Sequence, residues 1–260
     1  MIRPKRIILI NLVPIALVAV CLSSFAYAAT KESRAHAEKG IALYGQGKYE
    51  AAAAEFRKAL AIDSKSVDYH NDLSAALKAQ GKLNEAIAEA KVSIKCAPGK
   101  AVSHANLANL LFEAKQFPAA EAAYRQAIKL APKNAQYQTN LGLCLKMENK
   151  LAEAEKAYRE ALKLKPNDSD AAVHLSNLLR DKKDKKYRDE IEKLAKLAVK
   201  NTPKDAEAHL ALANALKDNH KDAEAIQEYE EALKLKPNHS SAAKIKEFID
   251  FLKNRPDSRI

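Results

Sequence analysis

The 260-residue sequence contains no Trp, six Gly and nine Pro, and this scarcity argues against a loop-rich or sheet-rich enzyme. It has three Cys, one of them Cys21 in the first thirty residues, which excludes a disulfide-dense secreted scaffold. Apolar residues make up 47% and charged residues 30%, so the chain can build a core and is not disordered. Ala, Leu, Glu and Lys dominate, which is typical of a mostly helical protein.

The first segment has the three parts of a secretory signal peptide. Basic residues at 1–6 precede an almost wholly apolar run at 7–22, and Ala26 and Ala28 fit a cleavage site. We therefore expect a signal peptide at 1–28, a short linker at 29–32 and an exported protein, periplasmic or secreted, of a bacterium. One alternative is an uncleaved inner-membrane anchor through residues 7–29, which is barely long enough to span a bilayer. A lipoprotein through Cys21 is disfavoured because Val20 is not small.

The rest of the chain repeats with a period of 34 residues, most clearly in buried-type Ala and in helix-ending Pro. An insertion of three residues in the segment 181–188 shifts the register once. A last amphipathic segment at 240–254 predicts a capping helix, and 255–260 a frayed tail. The spacing predicts an array at 33–239 made of six units: 33–66, 67–100, 101–134, 135–168, 169–205 and 206–239.

Each unit predicts a pair of helices. In the third unit, Leu107 and Leu111 mark the apolar face of a first helix, and Ala120 and Tyr124 that of a second. Pro132 ends the second helix because proline lacks the amide hydrogen and clashes with the preceding turn. One such hairpin cannot bury its own apolar face, so the units are expected to stack on their neighbours.

These columns resemble the tetratricopeptide repeat family over residues 33–239. His mostly replaces the usual Trp, and Ser64 stands where the first Pro is usual. The resemblance implies an all-α fold, a right-handed α-solenoid of six helix-turn-helix repeats plus a capping helix, whose concave face commonly binds peptides or other proteins. The fourth unit shows the family pattern best, in Leu141-Gly142, Leu145, Ala154, Tyr158, Ala161 and Pro166.

Residues that could support catalysis or metal binding are not suitably placed. His36, His70, His104 and His209 recur in one column, where a flat ring can replace Trp, and neighbouring repeats hold them too far apart to share a zinc ion. We interpret them as structural, with metal binding or pH sensing as the alternative. No serine elbow, phosphate-binding glycine loop or metal-spaced Cys pair occurs. We therefore expect no catalytic residue, no cofactor and no metal.

The net charge of +11 includes three basic residues of the first segment, and the remainder is spread thinly over the units. A nucleic-acid surface would need a concentrated basic patch with aromatic residues, so no nucleic acid is expected as a partner. A membrane is expected as a partner only if the first segment is not cleaved. The segment 181–188 predicts a solvated loop, with a contact for an acidic partner as the alternative. Cys96 and Cys144 are expected to be buried thiols rather than a disulfide.

The resemblance also implies a binding groove, because certain residues of each first helix face the concave side in this family. A row of Asn side chains, which both donate and accept hydrogen bonds, can pair with the backbone of an extended peptide. A basic column can meet carboxylates or phosphates. The family's chaperone-binding clamp is not complete, since Ala37 and Ile41 occupy its first two places. The expected groove residues are Tyr44, Asn71, Lys78, Asn106, Asn109, Phe112, Asn140, Lys146, Asn177, Arg180, Asn214 and Lys217.

The sequence thus predicts a non-enzymatic scaffold of the cell envelope that binds a protein or peptide segment in the concave groove. One alternative is a membrane-anchored subunit of an envelope assembly complex. An alternative of another class is an envelope enzyme or an enzyme accessory factor, although no residue pattern supports catalysis.

Overall fold

A computed structural model describes the backbone of residues 15–254 and the side chains of residues 30–254. All regular structure in this part of the chain is helical, which confirms the all-α fold of helical repeats. A short 3-10 helix, Lys185–Tyr187, precedes α10. The α-helices are α1 (Ile15–Gly45), α2 (Tyr49–Ile62), α3 (Val67–Ala79), α4 (Leu83–Cys96), α5 (Ala101–Glu113), α6 (Phe117–Leu130), α7 (Ala135–Met147), α8 (Leu151–Leu164), α9 (Ser169–Asp181), α10 (Arg188–Asn201), α11 (Ala206–Asp218), α12 (Asp222–Leu235) and α13 (Ala242–Lys253).

The start of the predicted signal peptide, residues 1–14, and the predicted tail, 255–260, lie outside the described residues. The segment 29–32, expected to be a linker, is instead part of α1. The reason is that neither Gly nor Pro interrupts the sequence from Ile15 to Lys39. No helix of the described residues is long and apolar enough to cross a membrane.

The helices form two compact units, one ending at Gly99 and one beginning at Lys100. In the first unit, α1 contacts α2, α2 contacts α3 and α3 contacts α4. The second unit contains four hairpins, α5–α6, α7–α8, α9–α10 and α11–α12, each of which contacts the next. The last helix, α13, contacts α12. Each hairpin therefore shares its apolar surface with a neighbour of the same unit.

The turn between the two helices of a hairpin contains one residue in the left-handed region. In the α7–α8 turn, the N–H of Asn149 donates to the carbonyl of Lys146 at 3.0 Å, and that of Lys150 to Leu145 at 2.9 Å. This pair of hydrogen bonds is the Schellman closure of a helix end. The left-handed residues are Gly47 (φ 75°), Gly81 (77°), Lys115 (59°), Asn149 (60°), Lys183 (56°) and His220 (61°).

Capping side chains and prolines mark where the helices begin and end. The carboxylate of Asp168 accepts a hydrogen bond from the N–H of Ala171 at 3.0 Å and so caps α9. Helix α8 ends at Leu164, and the next residue, Lys165, is extended (ψ 90°) because it precedes a proline. A proline and a capping carboxylate therefore mark the boundary between the α7–α8 and α9–α10 hairpins.

Small residues allow the two helices of a hairpin to approach closely. Ala120 and Ala154 have no exposed surface. Gly142 lies so close to the buried Tyr158 that a Cβ added there would be 2.5 Å from its ring. Large side chains such as Leu145 fill the space beside these contacts.

A repeated ion-pair ladder joins neighbouring hairpins of the second unit. Lys150, in the turn of one hairpin, donates to Glu121 of the preceding hairpin at 2.6 Å. One hairpin further on, Lys182 bonds Glu155 in the same way. Two hairpins further on, Lys221 donates to Glu192 at 2.7 Å. The ladder adds polar contacts to the apolar interfaces between hairpins.

Candidate functional site

The first helices of the second unit are joined by side-chain contacts along one face. Nδ2 of Asn140 in α7 donates to Oδ1 of Asn109 in α5 at 3.3 Å. Nζ of Lys146 in α7 lies 3.7 Å from Oδ2 of Asp181 in α9. An ion pair also joins α9 to α11. We call this surface the first-helix face, and its expected binding residues are Asn106, Asn109, Phe112, Asn140, Lys146, Asn177, Arg180, Asn214 and Lys217.

Two of the expected Asn side chains are held in place by buried Tyr residues of the second helices. The hydroxyl of Tyr124 donates to Oδ1 of Asn109 at 2.6 Å, and that of Tyr229 to Oδ1 of Asn214 at 2.7 Å. Burial raises the pKa of Tyr229 to about 12, so its hydroxyl remains a donor. Each Tyr hydroxyl fixes the orientation of the Asn amide by bonding its oxygen, and the Nδ2 group is then held as a hydrogen-bond donor for a partner.

The basic column of this face is already paired with carboxylates of the same unit. Lys146 pairs with Asp181, and Nε of Arg180 donates to Asp218 at 2.8 Å. Nζ of Lys217 lies 3.5 Å from Asp218. These carboxylates compensate the positive charge that the sequence had suggested was free for an acidic partner.

The remaining expected groove residues differ in their surroundings. In the first unit, Tyr44 packs its ring 5.2 Å from the Tyr that begins α2, and Lys78 lies in the last turn of α3. The side-chain oxygen of Asn71 is buried, so Asn71 belongs partly to the packing of that unit. In the second unit, Phe112 packs 5.4 Å from the Phe that begins α6. Both aromatic rings thus also hold the turns of their hairpins.

A pocket of about 600 Å³ lies at the C-terminal end of the second unit. Its walls are the ends of α9 and α11, the segment 181–188 and the helix α13. Buried Leu179 and Ile191 line its floor. On α13, Phe251 is 57% exposed, and its ring centroid lies 5.9 Å from that of Phe248. We call this the cap pocket.

The cap pocket carries an excess of positive charge. Three carboxylates line it, and each is paired with a cation. The cations Lys183, Lys185 and Arg188 also line it and have no carboxylate partner among residues 30–254. The ion pairs are Lys146 with Asp181 (3.7 Å), Lys186 with Asp184 (2.8 Å) and Arg180 with Asp218 (2.8 Å).

The segment 181–188, which was expected to be a solvated loop, contains a 3-10 helix and has ordered internal contacts. Oδ1 of Asp184 accepts from the N–H of Lys186 at 3.0 Å, and the adjacent Lys186 ammonium and this bond lower the pKa of Asp184. Nζ of Lys186 lies 4.8 Å from the ring centroid of Tyr187, and Lys182 lies over the same ring at 5.3 Å. These contacts give the wall of the cap pocket a defined conformation.

Models of tetratricopeptide repeats match residues 40–81, 106–180 and 206–239, which together exceed half of the chain. The chain belongs to the tetratricopeptide repeat (TPR) family. A search of curated protein sequences found no match. The TPR fold is typically a non-catalytic scaffold for interactions between proteins, so protein or peptide partners are expected of this chain in general.

Solved structures share the TPR fold with this chain. The structure of PilF from Pseudomonas aeruginosa is 21% identical, with a TM-score of 0.73, and the match covers 85% of this chain and 99% of that one. YrrB, described as a TPR protein with an unusual peptide-binding site, is 17% identical, with a TM-score of 0.55 and coverages of 74% and 97%. Yeast Tom70 is 20% identical, with a TM-score of 0.65 and coverages of 78% and 43%. At these identities the likeness shows the fold alone.

Histidines stand at the Trp position of several TPR units and pair with Glu of the following helix. Nδ1 of His70 lies 2.8 Å from Glu89, and Nδ1 of His209 lies 2.5 Å from Glu228. Nε2 of His209 faces the carbonyl of Pro203 at 3.1 Å. Within the described residues, no three His, Cys, Asp or Glu side chains are grouped so that they could hold a metal.

The two described cysteines of this TPR chain are free thiols, as expected. Cys144 is buried, whereas Cys96 is only partly buried. Burial, with the nearby Glu148 and Glu121 charges, raises the pKa of Cys144 to about 12, which keeps this thiol protonated and unreactive.

Sequence reasoning missed several residues of the first-helix face and of the cap pocket. His174 follows Asn140 by 34 residues and continues its column, so the period itself could have identified it. Burial lowers the pKa of His174, which therefore offers a neutral ring. The carboxylate of Asp218 and the exposed ring of Phe251 carry no such signal, because their roles depend on how α11 and α13 meet the insertion.

Proposed function

We propose that this TPR protein is a non-enzymatic scaffold that binds an extended segment of a partner protein along the first-helix face of its second unit. The observation that carries the proposal is the bracing of Asn109 and Asn214 by Tyr124 and Tyr229. The bracing fixes two amide donors before a partner arrives, so less side-chain entropy is lost on binding. Each hydrogen bond to a partner carbonyl then contributes about 0.5–1.5 kcal/mol net.

The neutral character of these donors indicates what the face recognises. A backbone carbonyl is present at every residue of a partner, so the amide row supports recognition of an extended main chain. The basic residues of this face are paired with Asp181 and Asp218, so charge contributes less than hydrogen bonding. YrrB is a TPR protein with a peptide-binding site, and we extend peptide binding to this chain as part of the proposal.

We also propose that the scaffold acts in the cell envelope after export. The basic start, apolar middle and small-residue end of residues 1–28 support this location. Mass spectrometry of the mature N-terminus checks it, with cleavage after Ala28 as the expected result. A chain that still starts at Met1 would instead support the membrane-anchored alternative.

The binding proposal is tested on a partner identified by crosslinking and co-purification. We expect Asn109→Ala with Asn214→Ala to weaken binding at every salt concentration, because neutral hydrogen bonds are not screened. Asn167→Ala with Asn238→Ala is the matched control, since both Asn are exposed and lie in turns outside the face. Equal binding by the two double variants, each measured by calorimetry, would place the partner elsewhere.

The Tyr residues provide a second arm of the same test. Tyr124→Phe with Tyr229→Phe keeps the Asn amides but removes the bracing hydroxyls. We expect an intermediate loss of affinity, because the amides must then be ordered on binding. Circular dichroism at the same concentrations checks that the helices remain formed. If the variant binds with the affinity of the parent, the Tyr hydroxyls do not contribute to binding by orienting the Asn amides.

A further inference from the structure

The cap pocket combines a concave apolar floor with exposed aromatic and cationic side chains. Leu179 and Ile191 are buried at its floor, while Phe251 leaves 57% of its surface exposed. An exposed Phe beside a pocket of about 600 Å³ offers contact area to an apolar side chain of a partner.

The charge around the pocket is complementary to an acidic partner. The carboxylates that line it are occupied by Lys146, Lys186 and Arg180, whereas three further cations of the lining have no carboxylate partner among residues 30–254. These cations, Lys183, Lys185 and Arg188, all come from the insertion or the residue that begins α10. The Phe rings and the unpaired cationic groups therefore lie on different walls of one pocket.

We infer that the cap pocket binds an acidic partner segment that also carries aromatic residues, with its carboxylates against the insertion and an aromatic ring against α13. The inference rests on the proposed function and deepens it. It specifies that the end of the bound segment next to α13 is acidic and aromatic. Its recognition is electrostatic and apolar, whereas that of the amide row is neutral and main-chain directed. The two contributions are therefore separable by variants.

The position of the insertion supports this assignment. The three added residues distinguish the fifth unit from the others, whose period is 34. The segment is held by the Asp184 cap and by Tyr187 against Lys186, so its free cations project from a formed element. The insertion thus supplies a wall of defined shape as well as positive charge.

The test uses the full chain and a fluorescein-labelled peptide that repeats Asp-Glu-Phe. Fluorescence anisotropy is expected to show saturable binding that weakens as salt rises. Lys183→Gln with Lys185→Gln, and separately Phe251→Ala, should each weaken binding by about tenfold. The control Lys129→Gln with Lys156→Gln changes charge equally at exposed residues of α6 and α8 and should stay within about twofold.

Two control peptides separate charge from apolar contact. A peptide repeating Lys-Lys-Phe and one repeating Asp-Glu-Ala should both bind at least about tenfold more weakly than the Asp-Glu-Phe peptide. Absence of saturable binding up to about 1 mM, or equal binding by the pocket variants and the parent, would overturn the inference. Loss of binding only in the Asn109→Ala with Asn214→Ala variant would support the groove and overturn the pocket. The reverse pattern would support the pocket alone.

Other occupants of the pocket give different outcomes. A variant ending at Asn254 tests whether residues 255–260 occupy the pocket. If the peptide binds only to this variant, the occupant is the chain itself and the inference is overturned. If sedimentation shows a dimer that Phe251→Ala dissociates, the pocket binds a second copy of the chain, and the inference is also overturned.

Discussion

At the scale of single residues, the His at the Trp position acts as the polar link between the two helices of a hairpin. In the sixth unit, Nδ1 of His209 faces the Glu228 carboxylate at 2.5 Å and Nε2 faces the Pro203 carbonyl at 3.1 Å. Both neighbours are acceptors, so only the doubly protonated ring satisfies both. Burial of the ring lowers its pKa, but the bonds to Glu228 and Pro203 and the nearby Glu231 charge outweigh burial and raise the pKa above 6.5.

This arrangement predicts a pH-dependent stability. A raised pKa in the folded state means that the contribution of His209 is fully present below pH 6.5 and is lost as the pH rises through the folded-state pKa. We expect the parent to be more stable than His209→Gln at about pH 5.5, and this difference in stability to be smaller at about pH 8.5. Denaturant unfolding of both proteins at these pH values measures the difference. An identical pH dependence of the parent and the variant would contradict the prediction.

The residue scale also shows where sequence reasoning ends. The sequence indicated a structural role for the His column; His70 and His209 are buried, whereas His36 and His104 are half-buried. Their Glu partners lie 19 residues later, and the Tyr partner of Asn109 lies 15 residues later. Such pairs depend on the register between antiparallel helices, which a periodic pattern does not contain. Only the geometry of the hairpin reveals them.

At the scale of elements, the turn within each hairpin requires one residue to adopt the left-handed backbone conformation, whichever amino acid occurs there. The position is Gly47 and Gly81 in the first unit, whereas Lys115 has φ 59° in the second. A side chain in the left-handed region costs roughly 1–2 kcal/mol, which Gly avoids. The insertion retains the same turn, with Lys183 at φ 56°, and adds its length after it.

We therefore expect Lys115→Gly to stabilise the protein by about 1 kcal/mol, because the steric penalty exceeds the added entropy of the unfolded chain. The reverse change, Gly81→Ala, should destabilise it, since that backbone has φ 77°. Crowding does not complicate the second variant, as a Cβ on Gly81 meets nothing within 4 Å. Thermal unfolding should show a higher melting temperature for Lys115→Gly and a lower one for Gly81→Ala than for the parent. Shifts of the same sign would show that backbone strain does not set these turns.

A second prediction at this scale concerns the ladder between hairpins. Burial raises the pKa of Glu192, but hydrogen bonds from Lys196, Lys221 and Asn219 outweigh it and lower the pKa to about 2. Because the folded-state pKa is depressed, the stabilisation is present above pH 4.5 and is lost as the pH falls towards 2. Glu192→Gln should destabilise the protein by about 1–2 kcal/mol at neutral pH.

The same variant should show a smaller loss of stability on acidification than the parent. Glu160→Gln is the control, because Glu160 makes an exposed pair with Lys163 at 3.5 Å. Its effect should stay below about 1 kcal/mol. Urea unfolding at neutral pH and near pH 3 separates the two variants, and equal losses for both would argue against a structural ladder.

At the scale of the whole molecule, the all-α fold of helical repeats followed from the repeat period, since a Leu column recurs in every unit and a Pro column in all but the first. The cap pocket did not follow from it. The pocket needs the insertion and the ring of Phe251, which lie outside the 34-residue pattern, together with the end of α11, which belongs to the regular sixth unit. The periodic sequence predicts the shared architecture and the first-helix face, whereas the cap pocket lies where the period is interrupted.

The last helix is expected to hold the end of the second unit. Ile245, Ile249 and Leu252 of α13 are at most 7% exposed, and the ring of Phe248 lies 5.9 Å from that of Tyr229 in α12. Burial of each of these aliphatic side chains contributes about 1.5–3 kcal/mol, all of which is lost when residues 240–260 are deleted. In a repeat array this loss acts first on the neighbouring hairpin.

Hydrogen exchange of the deletion variant measures how far this loss of stability extends along the second unit. Amides of α11 and α12 should exchange markedly faster than in the parent, while those of α5 and α6 should change little. The variant Lys246→Ala, which alters an exposed residue of α13, is the control and should leave the pattern unchanged. A uniform acceleration through α5–α12 would mean that the second unit unfolds as one cooperative body. Unchanged protection of α12 would mean that its contacts within the hairpin suffice to hold it without α13.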